Sequence, residues 1–355
     1  MTAISKNYPL KNLTTIETGG PADYFLEVKN ESDIFEAIDF ADKNSLPIFI
    51  LGRGSNVLIS DNGFKGLVIH NKIFGVKTWI KDEAGFIKSG AGEDWDNIVK
   101  ISVEKNWAGM ECLSGIPGTV GASPIQNIGA YGQSLEDIIE EITAISIADK
   151  KEVIFSKNDC KFKYRKSIFN SKDEGKYIVT SVTFKLRENG LPQIIYQDLK
   201  NIFSSKIPTL LEVRKAVFDI RNKKGMLVSN NSKYETLKSA GSFFKNPVVS
   251  IKQFNLIKKK SSNQENKKWF WLQKSGEIKI SAARLIQESG FYPGYKSGNV
   301  GISPKHTLAI INLGDGKSDE IIKLAKEIQD KVLDKFEIIL KPEVRLIGYR
   351  DNLFL

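Results

Sequence analysis

The sequence predicts an α+β protein, and three observations carry that reading. Apolar residues recur at helical spacing in three separated blocks, at 31–46, 93–107 and 321–336. Strand-like runs crowd between 66 and 92 and again between 141 and 186. The two kinds of segment do not alternate as in a parallel doubly wound sheet. At 355 residues the chain is too long for one average domain, so two or three are expected. With 41% hydrophobic and 26% charged residues it has the composition of a globular protein with a packed core.

Taken in order, residues 31–46 place Ile34, Ala37, Ile38 and Ala41 on one helical face, and Pro47 is expected to end that helix. IFIL follows as a short buried strand, then the turn GRGSN, then a second β-branched run, VLIS. GLVIH, FGVKTWI and GFIKSG continue as strands. Helix returns at 93–107, with Trp95, Ile98, Val99 and Val103 as its apolar face. EITAISI, KEVIF and KYIVTSVTFKL read as strands, the last alternating like a half-buried antiparallel strand. The helix at 321–336 is followed by EIIL as an expected strand and by KPEVRLIGY. No internal repeat is apparent.

Several functions lack the residues they need. Two cysteines, Cys112 and Cys160, and two histidines, His70 and His306, are too few and too scattered for a zinc site, and no metal is expected. A serine hydrolase could draw its base only from those two histidines. The N-terminus MTAISKNYPL has no apolar stretch behind its lysine, and no run reaches membrane-spanning length. A cytoplasmic protein without membrane insertion is therefore expected. The net charge of +10 fits nucleic acid, phosphorylated small molecules or a merely solubilised surface. Its one local cluster, Lys258, Lys259, Lys260, Lys267 and Lys268, brackets the polar stretch SSNQENKK, which reads as a solvated loop.

Two glycine loops stand out. In GRGSN the third glycine of a dinucleotide fingerprint is replaced by Val57, and a strand follows instead of a helix, so a nicotinamide domain of that type is disfavoured. Gly52 and Gly54 still allow backbone N–H groups to turn toward an anion, with Arg53, Ser55 and Asn56 alongside; a tight turn between two strands explains the loop equally well. The second loop, SGIPGTVGASPIQNIGAYG, lies within a stretch from Leu113 to Leu135 that carries no charge. Solvated linkers of that length normally carry charge. An uncharged, glycine-rich segment suits backbone buried against a large ligand, and a cofactor cradle is favoured over a purely structural loop.

LGRGSNVLIS, SGIPGTVGASPIQNIGAYG, YRKSIF, SAGSFFKNP and KPEVRLIG, together with TGGPADYFLEV and ISPKHTLAIIN, resemble the MurB family of UDP-N-acetylenolpyruvoylglucosamine reductases. The matches run in order over nearly the whole chain, and the tyrosine loop IIYQDLK is similar to the type I branch. The resemblance implies a vanillyl-alcohol-oxidase-type (PCMH-like) FAD-binding fold of two subdomains with a C-terminal substrate-binding α+β domain. The implied boundaries are 1–75, to which 344–355 returns, then 76–225 and 226–343. It implies bound FAD, NADPH as hydride donor, a UDP-sugar enolpyruvyl ether as substrate, and alternating use of one cavity by the two. A monomer without nucleic-acid partners is expected.

The same resemblance assigns residues. Gly52, Arg53, Gly54, Ser55, Asn56, Ser114, Gly115, Ile116, Pro117, Gly118, Gly121, Ala122, Gln126, Asn127, Gly129 and Ala130 would contact FAD. Ser242 would be the general acid; taken alone it reads as a turn or capping serine, and a serine hydroxyl serves as an acid only when held close and polarised. Arg165 would hold the substrate carboxylate through a bidentate guanidinium; alone it reads as a surface ion pair. Glu343 would be a protonated or hydrogen-bonded partner of the intermediate; alone it reads as solvated. Tyr196, Lys224 and Asn246 would meet the nucleotide, with Tyr196 as a lid. Tyr131 is either a contact to the substrate carboxylate or a core aromatic. Two departures bear on the nucleotide contacts: Arg284 stands where many type I members carry tryptophan, and the 225–241 link is long.

Two rivals remain from the residues. A flavin-dependent alcohol oxidase would use the same cradle but leave AGSFFKNP and KPEVRLIG unexplained. A basic RNA-binding module would need interleaved aromatic and basic residues, which the sequence lacks.

Overall fold

The computed structural model describes residues 3–228, 236–262, 269–273, 275–349 and 353–354. Its strands in the N-terminal third are β1 (Ser5–Pro9), β2 (Pro21–Val28), β3 (Ile48–Leu51), β4 (Val57–Ile59), β5 (Phe64–Asn71), β6 (Val76–Lys81), β7 (Ala84–Gly90) and β8 (Trp107–Ala108). The middle third adds β9 (Gly129–Ala130), β10 (Gln133–Ser134), β11 (Ile139–Ser146), β12 (Lys151–Ser156) and β13 (Tyr177–Glu188). After these come β14 (Val248–Val249), β15 (Phe270–Leu272), β16 (Ile278–Ile280), β17 (Lys296–Ser297), β18 (Val300–Ile302), β19 (Ile310–Asn312) and β20 (Arg345–Ile347). The helices are α1 (Glu31–Lys43), α2 (Trp95–Glu104), α3 (Gln197–Ile202), α4 (Leu210–Lys223), α5 (Ile251–Lys260), α6 (Ala282–Glu288) and α7 (Ser318–Phe336). Helices and strands are mixed as the sequence predicts.

The chain forms two compact units. The first comprises Met1–Tyr8, Ala22–Arg53 and Lys65–Glu235. One sheet has the order β1-β2-β5-β3, with β3 and β5 parallel. The expected face of α1 (Ile34, Ala37, Ile38 and Ala41) is fully buried with Leu26, Val28, Leu67 and Ile69. A second sheet runs β12-β11-β13-β7-β6, with β8 added to β13. Its long antiparallel strand β13 carries Phe184 edge-on against Trp95 of α2. The expected α2 face of Trp95, Ile98, Val99 and Val103 is buried in the same way.

The second unit comprises Pro9–Pro21, Gly54–Phe64 and Thr236–Leu355. Short sheets β14-β16-β15 and β17-β18-β19 accompany α7, whose Ile321, Leu324, Ala325, Ile328 and Val332 enter the core. Two early segments belong here. Ile16 and Leu58 are fully buried in that core, and β4 pairs in parallel with β20. The α7 N-terminus begins earlier than expected, at Ser318, because the Asp61 carboxylate accepts the Ser318 and Asp319 N–H groups, each at 3.0 Å.

Two expectations are corrected here, and three helices went unread. The first helix ends at Lys43, before Pro47, where the Asn44 side chain caps the Phe40 carbonyl. EIIL at 337–340 is not a strand: Glu337 takes a left-handed φ of 59° as the α7 cap, and the following segment makes an isolated bridge, Phe244 to Pro342. Helices α3, α4 and α5 were not read from the sequence. For α4 the signal was a capping box, in which Thr209 Oγ1 accepts the Glu212 N–H and Glu212 accepts the Thr209 N–H. Lys206 and these contacts hold the Glu212 carboxyl down at about 2. Because that value lies below the ordinary one, the contribution is present above about pH 4.5 and is lost as pH falls toward 2. Thr209→Ala is expected to cost about 1 kcal/mol of stability, read as a lower urea midpoint at unchanged m-value; an unmoved midpoint would remove the cap from the account.

Lys267 and Lys268 of the basic cluster, and 229–235 of the long link, lie outside the described residues.

Candidate active site

In the first unit, the uncharged segment after Leu113 is buried or half-buried apart from Ala122 and Gly132. Its start is fixed by α2 and α4. Trp95 Nε1 donates to the Leu113 carbonyl at 3.0 Å, and the Gly115 N–H donates to Asp96 Oδ1 at 2.7 Å. Arg214 of α4 grips the same Asp96 through two hydrogen bonds, at 2.8 and 2.7 Å, and reaches Ser114 Oγ at 3.1 Å. Gly115 has a φ of +68°, where only glycine is comfortable. Gly121 lies so close to Ala91 that an added Cβ would stand 2.5 Å from the alanine methyl. Gly52 likewise leaves 2.5 Å for a Cβ before Thr119 Oγ1, so the first glycine turn touches the second loop. Arg53 pairs with Asp94.

Ile116, Pro117 and Gln126 are half-buried along this segment. Among the described residues, the Ile116 and Gly118 N–H groups donate to no protein acceptor. Backbone donors of that kind on an uncharged loop are what a phosphate takes, and the apolar flank suits an aromatic ring. The residues present therefore fit FAD. Farther along, Asn127, with a φ of 46°, accepts the Glu136 N–H and donates to the Lys163 carbonyl, closing the segment on itself.

Gly129 and Ala130 form β9, which turns through Tyr131 and Gly132, both at positive φ, into β10. Tyr131 is buried and meets Tyr196 edge-on, with ring centroids 5.3 Å apart. Lys224 Nζ stands 5.7 Å from the Tyr131 ring centroid and 3.4 Å from Asp198. Three expected substrate residues are thus brought together from the β9–β10 turn, the α3 N-terminus and the α4 C-terminus. Burial pushes the Tyr131 hydroxyl up to about 12, against the pull of Arg221. Arg165, at a left-handed φ of 53°, directs both terminal nitrogens to the Gly129 carbonyl at 3.3 Å.

Arg214 and Arg221 were missed. They lie seven residues apart, hence on one face of α4, and that spacing was the available signal.

In the second unit, Gly241 (φ +76°) leads into a half-buried Ser242. The next residue is held on both sides: the Phe243 N–H donates to Leu308 O at 2.7 Å, and Phe243 O accepts the Glu343 N–H at 2.8 Å. Phe243 and Phe244 are buried, so the backbone at Ser242 is anchored by the core. The Glu343 carbonyl accepts Asn56 Nδ2 at 3.2 Å, while Asn56 O accepts the Arg345 N–H at 3.0 Å. Phe243, Glu343 and Asn56 therefore share one hydrogen-bond network, next in the chain to Ser242. Gly54 has no room for a side chain, since a Cβ would lie 2.0 Å from Leu13 O; Ser55 follows it half-buried. Asn246 Oδ1 accepts the Ala282 N–H at the start of α6. Arg284 pairs with Glu288 and donates to Ser262 O. Arg165 is carried by the first unit, Ser242 and Glu343 by the second. Among the described residues no three metal-ligating side chains gather.

A family model described as an FAD binding domain matches residues 22–154, and one described as the C-terminal domain of UDP-N-acetylenolpyruvoylglucosamine reductase matches 232–347. The chain is 36% identical to the UDP-N-acetylenolpyruvoylglucosamine reductase of Thermobifida fusca over 98% of its own length and 99% of the relative's. It is 32% identical to that of Escherichia coli K12, covering 96% of each. A crystal structure of the enzyme from Thermus caldophilus superposes with a TM-score of 0.67 at 26% identity, covering 98% of this chain and all of that one. With the glycine cradle and the match extending over both ends, this chain belongs to the UDP-N-acetylenolpyruvoylglucosamine reductase family.

Proposed function

We infer that this protein is an FAD-dependent reductase that converts UDP-N-acetylenolpyruvoylglucosamine to UDP-N-acetylmuramate for peptidoglycan precursor synthesis, with NADPH as hydride donor. The observation that carries this reading is the match to named reductases over 98% of the chain, spanning the FAD-binding and C-terminal family models. FAD, when bound, supplies the hydride for the terminal methylene carbon. The segments that would hold it are Gly52–Asn56, Ser114–Ala122 and Gln126–Ala130, through backbone N–H groups and an uncharged lining.

The remaining chemistry falls to side chains. Arg165 holds the substrate carboxylate and opposes the negative charge that spreads onto it during reduction. Ser242 Oγ gives a proton to the carbon that bears the carboxylate. Glu343 hydrogen-bonds the substrate as that charge develops. Tyr131 lies toward the carboxylate, while Tyr196, Lys224 and Asn246 serve the nucleotide diphosphate. Arg165, Arg214, Arg221 and Lys224 make this part of the first unit cationic, in keeping with an anionic substrate.

The division into 1–75 with 344–355, 76–225 and 226–343, in a vanillyl-alcohol-oxidase-type arrangement, is part of this reading. So are a cytoplasmic location, a monomeric state and the lack of a nucleic-acid partner. No described helix is long and apolar enough to cross a membrane.

The test is direct. Purified protein should be yellow and should oxidise NADPH only when UDP-N-acetylenolpyruvoylglucosamine is present. A colourless protein that takes up no FAD, or oxygen consumption with an alcohol in place of that activity, would sink the reading.

A further inference from the structure

Arg221 belongs to none of the roles above, yet it is among the most deeply buried cations of the first unit, at 7% exposure. Its Nε donates to the Gly115 carbonyl at 2.9 Å and its Nη2 to the Met226 carbonyl at 3.1 Å, and its charge lies near enough to the Tyr131 hydroxyl to pull that group down against the effect of burial. Gly115 opens the loop that fits FAD, and Tyr131 belongs to the aromatic pair on the substrate side. We propose that Arg221 is a positioning residue for both, its planar fork fixed by the Gly115 and Met226 carbonyls so that the guanidinium stands beside the Tyr131 hydroxyl. The inference rests on the function given above.

The local geometry explains why an arginine is needed. Tyr131 has a left-handed φ of 49°, a conformation a bulky residue keeps only when its surroundings over-determine it. Those surroundings are Lys224 over the ring, Tyr196 at its edge and Arg221 at its hydroxyl. Gly115 is packed equally closely, since a Cβ there would meet Leu227 at 2.8 Å and the Arg221 Cδ at 3.3 Å. Asp96, which accepts the Gly115 N–H, offsets the charge of Arg221, and Arg165 opposes it. A lysine keeps the charge but loses the fixed fork that spans these acceptors.

The experiment compares Arg221→Lys, Tyr131→Phe and the double variant, measuring FAD affinity on reconstitution of apoprotein together with kcat and KM for the UDP-sugar. Arg221→Lys should weaken FAD binding and raise KM, each by about tenfold, the loss expected for one charge-assisted hydrogen bond. Tyr131→Phe should raise KM by a similar factor while leaving FAD affinity unchanged. The double variant should show the KM of Arg221→Lys alone, because both changes cut the same link. If Arg221→Lys does not fold, Arg221→Gln carries the same comparison. KM effects that multiply, or an Arg221 variant that binds FAD and substrate normally, would overturn the positioning role while leaving the function standing. Absence of FAD uptake and turnover in the unaltered chain would overturn the function and this role with it.

Discussion

Ser242→Ala is expected to lower kcat for UDP-sugar reduction by about 10²–10⁴-fold, equivalent to about 3–5 kcal/mol of barrier. Reduction by NADPH alone, followed as loss of visible flavin absorbance, should stay within a few-fold of the unaltered protein. The two outcomes separate because the substitution is confined to one hydroxyl. Gly241 supplies the positive φ that turns the chain, and Phe243 fixes the next peptide through hydrogen bonds to Leu308 and Glu343. Neither feature depends on the serine side chain, so alanine inherits the backbone and loses only the hydroxyl. Equal losses in both half-reactions would show that Ser242 holds the site together instead of donating the proton.

How much of this was legible differs from element to element, for physical reasons. The faces of α1 and α2 were readable because each buries four apolar residues at helical spacing, and periodicity is a local property. EIIL misled because β-branched residues favour strands only where a partner exists, and among the described residues the segment after the left-handed Glu337 gains an isolated bridge instead of a ladder. Asp61 at the head of α7 was invisible because its partners lie more than 250 residues away. In the candidate site, the largely buried glycine-rich segment stood out because backbone freedom and missing charge are written in composition. The spacing of Arg214 and Arg221 puts them on one face of α4 but does not give their role, because an arginine's role depends on which acceptors the fold delivers. Arg284 illustrates the same limit: it stood out as a departure near the nucleotide contacts, and it is engaged by Glu288 and Ser262.

Arg165→Ala is the second large effect, with kcat/KM for the UDP-sugar expected to fall by about 10²–10³-fold. The side chain is half-buried, and both terminal nitrogens reach the Gly129 carbonyl at 3.3 Å. That is a long contact for a guanidinium, whose donors form shorter pairs with a carboxylate. Stability should change little, because alanine at a φ of 53° carries much the same backbone strain as arginine there. Arg165→Lys should recover about tenfold of the loss, since it restores charge but not the bidentate geometry. The kinetic pattern then identifies when the interaction forms. Equal falls in kcat and kcat/KM mean that Arg165 meets charge that develops only during reduction, whereas a rise in KM alone means that it anchors the ground-state carboxylate. An unchanged kcat/KM would remove Arg165 from the site.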